Sequence, residues 1–192
     1  MAKRGGAGDA AGTVLCVIRH GDAGDALAIP FRDGLRPLSE KGRKQAKRAG
    51  KALRRLGLLP RDVFTSRLAR AAETARAAVD AAKGTAHVVE TAALAPGAEP
   101  ERVVRLLAET PLAPSRGDPA APGPAVRWVV GHEPGLSRLL GYLVAAQPQG
   151  VELKKGSVAI LACGAGGPDG GSCRLTALLS PDAIRDLLHA GR

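Results

Sequence analysis

The chain alternates between short, continuous apolar runs and longer stretches in which apolar residues recur every three or four positions. The short runs predict strands buried on both faces, and the longer stretches predict helices with one buried face. We predict strands at residues 13–18, 62–65, 87–90, 126–130, 158–162 and 174–179. We predict helices at residues 39–56, 66–82, 100–109, 134–146 and from 180 onward. This order predicts a three-layer α/β/α sandwich with a mostly parallel central sheet and one antiparallel edge.

Length and local composition predict how the chain is divided. Its 192 residues are enough for one domain with a core. Residues 1–12 are rich in Gly and Ala and lack the apolar stretch of a signal peptide, so we predict a flexible tail followed by a single domain over residues 13–192. Five prolines between residues 111 and 124 predict a surface loop. No apolar run approaches the ~20 residues of a membrane span, and we expect a cytoplasmic protein without membrane contact.

The positive charge is concentrated in the first part of the chain. The net charge is +10, and residues 1–76 hold 17 Lys and Arg against 7 Asp and Glu, whereas residues 77–192 hold 11 of each. This asymmetry favours an anionic substrate or an acidic partner. The basic residues of the helix at 41–55 are typical of a solvated face, and their role stays open. Only four aromatic residues are present, too few for a base-stacking surface, so we expect no nucleic-acid partner.

Three cysteines are present, and their odd number argues against a disulfide framework. Cys16 lies within the first predicted strand and is expected to be buried. Cys163 and Cys173 flank a glycine-rich loop and could approach each other, but reduced thiols are the simpler expectation for a cytoplasmic protein.

Candidate chemistry follows three of the predicted strands. Arg19 and His20 follow the first, Arg67 follows the second, and His132 follows the fourth. Open α/β sheets build their sites at the carboxyl ends of strands, so we expect these side chains to meet. Two arginines and two histidines suit a tetrahedral dianion, with one imidazole free to attack. Gly21, next to His20, permits the close approach of another group.

Other interpretations of these residues fit less well. A lone histidine is more often structural than catalytic, but the strand-end context of His20 and His132 favours a site. With Asp22 they could supply three zinc ligands, yet the adjacent arginines would repel a dication, so we predict no metal. The glycine-rich stretches do not open helices, so no dinucleotide or P-loop site is predicted, and we expect no cofactor.

Four motifs follow one another along the chain. They are Arg19-His20-Gly21, Leu38-Ser39 with Gly42 and Gln45-Ala46, Thr65 to Ala71 with Glu73-Thr74, and Gly131 to Gly135. In this order and at these separations they resemble the motifs of the histidine phosphatase superfamily. With its compact loop after Leu94, the chain most resembles the short SixA-type phosphohistidine phosphatase branch, and the resemblance covers about residues 14–179.

The resemblance implies a phosphoglycerate mutase-like fold and a covalent mechanism. It implies that His20 is the nucleophile and forms a phosphohistidine intermediate. Arg19, Arg67 and His132, with the backbone at Gly21, would grip the phosphoryl group. No metal or organic cofactor is required by this chemistry, and a role in signal transduction would follow from a phosphohistidine substrate.

One feature departs from the pattern of many members of the superfamily. They place a glutamate in the middle segment as a general acid, and residues 90–97 show no clear counterpart. Asp22 is the first candidate for the proton donor, followed by Glu90 and Glu133. Imidazole is a better leaving group than an alkoxide, so hydrolysis of phosphohistidine depends less on a strong general acid. The missing glutamate therefore favours phosphohistidine over simple phosphate esters as the substrate.

The sequence therefore predicts a phosphatase that acts on a phosphohistidine-bearing protein. A phosphohydrolase for nucleotides or other small phosphorylated metabolites is the alternative. A non-catalytic module that binds an anion or a phosphoprotein is a third hypothesis, which the complete set of pocket residues disfavours. The sequence does not fix the physiological substrate or the oligomeric state.

Overall fold

The computed structural model describes residues 12–111, 124–147 and 151–190. Most of the predicted tail at 1–12 and of the predicted loop at 111–124 lies outside these residues. The strands are β1 Thr13–Arg19, β2 Asp62–Ser66, β3 His87–Thr91, β4 Ala125–Gly131, β5 Val158–Cys163 and β6 Cys173–Leu179. The helices are α1 Pro30–Gly34, α2 Glu40–Arg55, α3 Ala69–Ala81, α4 Pro100–Glu109, α5 Gly135–Ala145 and α6 Pro181–His189, with a short 3₁₀ helix at Ala92–Leu94.

The six strands form one sheet in the order β3-β2-β4-β1-β5-β6. β3, β2, β4 and β1 are mutually parallel, and β5 pairs antiparallel with both β1 and β6. The predicted mostly parallel sheet is confirmed. The sequence analysis predicted an antiparallel strand at the edge of the sheet. In the structure the antiparallel strand is the inner strand β5, because the final hairpin brings the edge strand β6 back parallel to β1.

Helices cover both faces of the sheet, as expected for the predicted sandwich. Alternate residues of β1 point to opposite faces, so Cys16 and Ile18 pack with α2, α3 and α6, while Leu15 and Val17 pack with α4 and α5. This explains why β1 is a continuous apolar run. No helix among residues 12–111, 124–147 and 151–190 is long and apolar enough to cross a membrane.

The structure corrects two predicted boundaries near the sheet edge. The second helix was predicted from Ser66, but Ser66 ends β2 and α3 begins at Ala69. The predicted loop after β1 contains the short helix α1. By contrast, Ser39 caps α2 as predicted, because its Oγ accepts from the N–H of Gly42 over 3.1 Å.

The β5–β6 hairpin holds a disulfide that the sequence analysis did not expect. Cys163 and Cys173 are directly opposite in the register of the two strands and are covalently joined. The expectation of reduced thiols is therefore wrong for this pair, because the hairpin brings the two sulfurs together across a loop that the sequence leaves undetermined. Cys16 is free and buried, as predicted.

Gly50 allows α2 and α3 to pack with their backbones in contact. A Cβ at this position would lie 2.0 Å from the carbonyl oxygen of Ala78. Alanine normally stabilises a helix relative to glycine, but we expect Gly50→Ala to lower the free energy of unfolding by about 1–3 kcal/mol, because the helices must move apart. Urea unfolding measures this change.

Gly164→Ala is the matched control, because a Cβ there has no neighbour within 4 Å among the described residues. Its free energy of unfolding should change by less than about 0.5 kcal/mol. A Gly50→Ala variant as stable as the wild type would contradict the close helix contact.

Candidate active site

The two predicted site histidines meet because the strands before them are neighbours. β1 and β4 pair with Arg19 opposite Gly131, so His20 and His132 follow the two strands at the same edge of the sheet. The N–H of His20 donates to the carbonyl oxygen of Gly131 over 3.1 Å. The centroids of the two imidazole rings are 4.9 Å apart. Both side chains are buried, with 7% of His20 and 5% of His132 exposed.

A backbone contact fixes which nitrogen of His20 carries the proton. Nδ1 lies 2.7 Å from the carbonyl oxygen of Gly21. A carbonyl oxygen can only accept, so Nδ1 is the protonated nitrogen of the neutral ring and donates this bond. Nε2 then holds a lone pair, as a nucleophile requires.

Burial keeps both imidazoles neutral at physiological pH. Loss of solvation lowers the pKa of His20 to about 4, and the positive charges of Arg70, Arg19 and Lys155 act in the same direction, while the bond from Nδ1 opposes them. Loss of solvation, the neighbouring His20 and the charge of Arg70 lower the pKa of His132 to about 3. Each ring can therefore offer one lone pair and one N–H at neutral pH.

Two arginines act on the histidine pair, and each is held by one end of its guanidinium. Nη1 of Arg70 donates to the carbonyl oxygen of Asp33 over 2.9 Å and lies 3.3 Å from Oδ2 of the same residue. Nη1 of Arg19 donates to the carbonyl oxygen of Leu153. These bonds fix the arginines while leaving other donors of each guanidinium without a protein partner.

Arg67 does not occupy the position that the sequence analysis predicted. It lies before the start of α3 and is exposed, and within the described part of the chain it makes no hydrogen bond or ion pair. Arg70 lies in the first turn of α3 and is buried. The structure therefore favours Arg70 over Arg67 as the second arginine of the site.

Four buried side-chain nitrogens lack a hydrogen-bond partner in residues 12–111, 124–147 and 151–190, and all belong to this cluster. They are Nε of Arg19, Nε of Arg70, and Nδ1 and Nε2 of His132. Buried polar atoms are nearly always paired in folded proteins, so such a concentration indicates a ligand site. Guanidinium nitrogens can only donate, which suits an oxyanion such as a phosphoryl group.

Close backbone packing fixes the loop that carries His20 against α2. A Cβ on Gly21 would lie 2.5 Å from the carbonyl oxygen of Gly42, and a Cβ on Gly42 would lie 1.9 Å from that of Asp22. Only glycine fits at either position. The two glycines of the motifs thus serve one contact, which holds the loop that carries His20 against the start of α2.

Side chains from the other motifs complete the hold on this loop. Oε1 of Gln45 accepts from the N–H of Asp22 over 2.8 Å. Oγ1 of Thr74 accepts from the N–H of Gly21 over 3.0 Å. Oγ of Ser39 donates to Oδ2 of Asp22 over 2.7 Å. These three motif residues lie outside the histidine–arginine cluster, and their hydrogen bonds position the loop that carries His20.

Asp22 is held as a carboxylate, which is unsuited to the predicted role of proton donor. The hydrogen bond from Ser39 and the ammonium group of Lys155, whose Nζ lies 3.1 Å from Oδ1, lower the pKa of Asp22 to about 2. At neutral pH almost no Asp22 carries a proton to donate. Its contacts indicate that it anchors the loop and Lys155.

The other two candidate donors are engaged elsewhere. Oε2 of Glu133 accepts from the N–H and the hydroxyl of Ser137 over 3.1 and 2.7 Å, and Oε1 accepts from the N–H of Leu153 over 2.9 Å. Glu133 thus caps α5 and supports the residue whose carbonyl binds Arg19. Glu90 pairs with Arg76 over 2.5 Å on the edge strand β3.

The sequence analysis missed two cationic residues of the site. Arg70 could have been found from helical spacing, because it shares the buried stripe of α3 with Thr74 and Ala78. Lys155 carries no such signal. It lies before β5, where the N–H of the following Gly156 donates to the carbonyl oxygen of His20 over 3.1 Å.

The residues present offer donors for an anion rather than ligands for a cation. The zinc alternative needs Asp22, which is already bound to Ser39 and Lys155. Across the described ranges, no group of three or more His, Cys, Asp or Glu side chains could hold a metal ion.

Comparison of the sequence with known families gives a match that contains the first three of the four motifs, and Gly131 to Gly135 lies outside it. Residues 15–95 match the histidine phosphatase superfamily (branch 1). Over 69 residues the chain is 42% identical to the 2,3-bisphosphoglycerate-dependent phosphoglycerate mutase of Bifidobacterium longum (strain DJO10A). This match covers 35% of the chain and 28% of that relative's length.

Solved structures share the fold over nearly the whole chain. The protein histidine phosphatase SixA in complex with tungstate has a TM-score of 0.70 at 19% identity, covering 89% of this chain and 99% of SixA. The SixA phosphohistidine phosphatase described from Nakamurella multipartitia has a TM-score of 0.66 at 25% identity, covering 90% and 98%. The mycobacterial glucosyl-3-phosphoglycerate phosphatase in complex with VO3 has a TM-score of 0.58 at 20% identity, covering 85% and 97%.

The lowered pKa values of the two histidines predict a pH-dependent stability. Between about pH 6.5 and 4 the unfolded chain binds protons on His20 and His132 that the folded chain does not, so stability falls as the pH falls. The loss should be on the order of 2–3 kcal/mol per histidine. Urea unfolding at pH 7, 5.5 and 4.5 measures it.

His20→Asn should lose about half of this pH dependence, because it removes one of the two titrating rings. His189→Asn, at an exposed position on α6, is the control and should behave as the wild type. Equal slopes in the wild type and in His20→Asn would show that His20 is not held neutral by burial.

Proposed function

We propose that this chain, which belongs to the histidine phosphatase superfamily, removes the phosphoryl group from phosphohistidine on proteins through a covalent intermediate on His20. The observation that carries this proposal is the set of unpartnered buried nitrogens of Arg19, Arg70 and His132 next to a neutral imidazole. Oriented donors beside a nucleophile suit the transfer of a tetrahedral anion.

The first step uses the lone pair on Nε2 of His20. Nε2 attacks phosphorus, and the new P–N bond forms as the bond between phosphorus and the imidazole of the substrate breaks. That imidazole leaves with the bonding electron pair and takes up one proton from solvent. The proton on Nδ1 stays on the ring, where the carbonyl oxygen of Gly21 stabilises the added positive charge. Water then attacks phosphorus, releases phosphate and one proton, and restores neutral His20.

The two arginines and His132 supply the charge stabilisation that this transfer requires. Phosphoryl transfer gains mainly from positioning and from neutralising the charge on the non-bridging oxygens. The free guanidinium donors of Arg19 and Arg70 and one N–H of His132 can each bind such an oxygen. Their fixed ends, bound to Leu153 and Asp33, mean that little reorganisation is needed.

The proposed substrate class follows from the leaving group. Asp22 is ionised and Glu133 is fully engaged, so neither supplies a ready proton. An alkoxide departs poorly without an acid, whereas the imidazole of a phosphohistidine is a better leaving group. Of the three candidate acids, Asp22 is ionised and both Glu90 and Glu133 are bound to other groups, which favours phosphohistidine over phosphate esters.

Hydrolysis of nucleotides or other small phosphorylated metabolites is the second candidate function. Two comparisons favour it: the partial match to a phosphoglycerate mutase and the fold shared with a glucosyl-3-phosphoglycerate phosphatase. The same nucleophile and arginines would serve both functions, so only the substrate distinguishes them.

The setting of the reaction stays a prediction from the sequence. A cytoplasmic protein in signal transduction is the setting that suits a phosphohistidine substrate. The disulfide between Cys163 and Cys173 weighs against a reducing compartment, because such bonds are rare there.

We expect wild-type protein to release phosphate from a phosphohistidine protein faster than from an aryl phosphate or a nucleoside triphosphate. His20→Ala should lower kcat/KM by ~10³-fold or more, because it removes the nitrogen that is proposed to form the covalent intermediate. Phosphate release on all three substrates, with trapping of an acid-labile phosphoryl-enzyme, measures both points.

His87→Ala, at an exposed position on β3, is the matched control and should retain full activity. His20-dependent turnover of the small substrates alone would move the function to metabolites. Full activity of His20→Ala would exclude the covalent mechanism.

Arg70 and Arg67 give a second test, because the same substitution can be made at both. Arg70→Lys should lower kcat/KM by ~10²-fold or more, since lysine keeps the charge but loses the forked donors. Arg67→Lys should stay within about threefold of the wild type. Steady-state kinetics and inhibition by orthovanadate measure the difference, and a greater loss in Arg67→Lys would restore the sequence-based assignment.

A further inference from the structure

Exposed apolar side chains are concentrated in the part of the chain between the loop that carries His20 and the start of α2. The described residues include nine large hydrophobic side chains that are exposed, and four of them fall within residues 27–35. They are Leu27, Ile29, Phe31 and Leu35, and Phe31 is the most exposed at 77%. Single exposed apolar residues are ordinary, but such a cluster is typical of an interaction surface. We name residues 27–35 the apolar segment.

The apolar segment is held against the loop that carries His20. Oδ1 of Asp33 accepts from the N–H of Leu27 over 2.9 Å and from Nε of Arg36 over 2.8 Å. Nη1 of Arg36 donates to the carbonyl oxygens of Ala23 and Gly24 over 2.7 and 2.9 Å. The exposed side chains are therefore presented from a braced backbone that adjoins the site.

The same aspartate connects the apolar segment to the site arginine. The carbonyl oxygen of Asp33 accepts from Arg70, and the carboxylate of Asp33 forms an ion pair with it. Asp33 lies within the apolar segment, so a molecule bound there would contact the stretch that anchors the proposed phosphoryl-binding arginine. This contact makes the segment part of the surroundings of the site and not a remote patch.

Charge around the apolar segment indicates what kind of molecule would cover it. Arg32 on the segment is exposed, and so is Arg67. Leu68, next to Arg67, has its Cδ2 3.4 Å from the position of a Cβ on Gly34, so the two stretches adjoin. An apolar surface flanked by cations is complementary to a protein surface with apolar side chains and an acidic rim. A small polar metabolite has no apolar area to cover four large side chains.

We propose that the apolar segment is a docking surface for the protein that carries the phosphohistidine, with apolar side chains of that protein packing on Phe31 and Leu35 and its acidic side chains facing Arg32 and Arg67. This inference rests on the proposed function and adds the surface that distinguishes a protein substrate from free phosphohistidine. Aromatic and leucine side chains at the centre of an interface contribute much of its affinity, so their loss should raise KM for the protein substrate.

The test compares one chemistry in two sizes of substrate. The probes are free phosphohistidine and an acidic helical carrier protein phosphorylated on one histidine with phosphoramidate. In Phe31→Ser/Leu35→Ser we expect kcat/KM for the carrier protein to fall at least tenfold, mainly through KM. For free phosphohistidine it should stay within twofold of the wild type. Val144→Ser/Leu178→Ser, also exposed apolar positions but outside the segment, is the matched control and should leave both substrates unchanged.

Each other outcome overturns the docking surface in a recognisable way. An equal loss for both substrates would mean that the substitutions disturb the site itself. No loss for either would mean that the segment does not bind the carrier protein, although the proposed function would stand. Co-sedimentation with anionic vesicles that the double variant abolishes would assign the segment to a membrane. A wild type inactive on both probes would refute the proposed function itself.

Discussion

The parallel pairing of β1 with β4 is the constraint on which the site depends. The pairing sets Arg19 opposite Gly131, and the histidines are the residues that follow these two positions. A slip of one residue would exchange the faces of β4, moving Trp128 away from the carbonyl oxygen of Leu58 that accepts its indole N–H over 2.9 Å. It would also move Arg127, which donates to the carbonyl oxygens at the end of α4, to the wrong side. Core packing on both faces therefore sets the distance between the two imidazoles.

The site itself works against the stability that this packing provides. Both ring nitrogens of His132 and the Nε atoms of Arg19 and Arg70 are buried without a hydrogen-bond partner among the described residues, and each such group costs free energy in the folded protein. The same desolvation keeps His20 neutral at physiological pH, with a lone pair on Nε2, and leaves the donors free for an anion. An oxyanion between Arg19 and Arg70 would satisfy the donors at once. Burial of these donors lowers the stability of the folded protein, and the same unpaired donors favour the binding of an oxyanion.

Local sequence was enough to predict the strands, most helices and the histidine pair, because each depends on a run of neighbouring residues. Arg67 was preferred to Arg70 because the start of α3 was placed three residues too early, which put the wrong arginine at the strand end. Asp22 was proposed as an acid because its partners Ser39 and Lys155 are distant in sequence, and they decide its charge. The disulfide depends on hairpin register, which local composition does not determine.

The segment before β5 shows why a site can be organised by residues that carry no motif. The carbonyl oxygen of Leu153 binds Arg19, while Glu133 holds the N–H of the same residue. Two residues later, Lys155 pairs with Asp22, and the N–H of Gly156 donates to the carbonyl oxygens of Arg19 and His20 at the end of β1. These contacts are made mainly by backbone atoms, so they constrain conformation more than residue type. The chemistry near His20 can therefore stay fixed by backbone geometry while the exposed side chains around it differ.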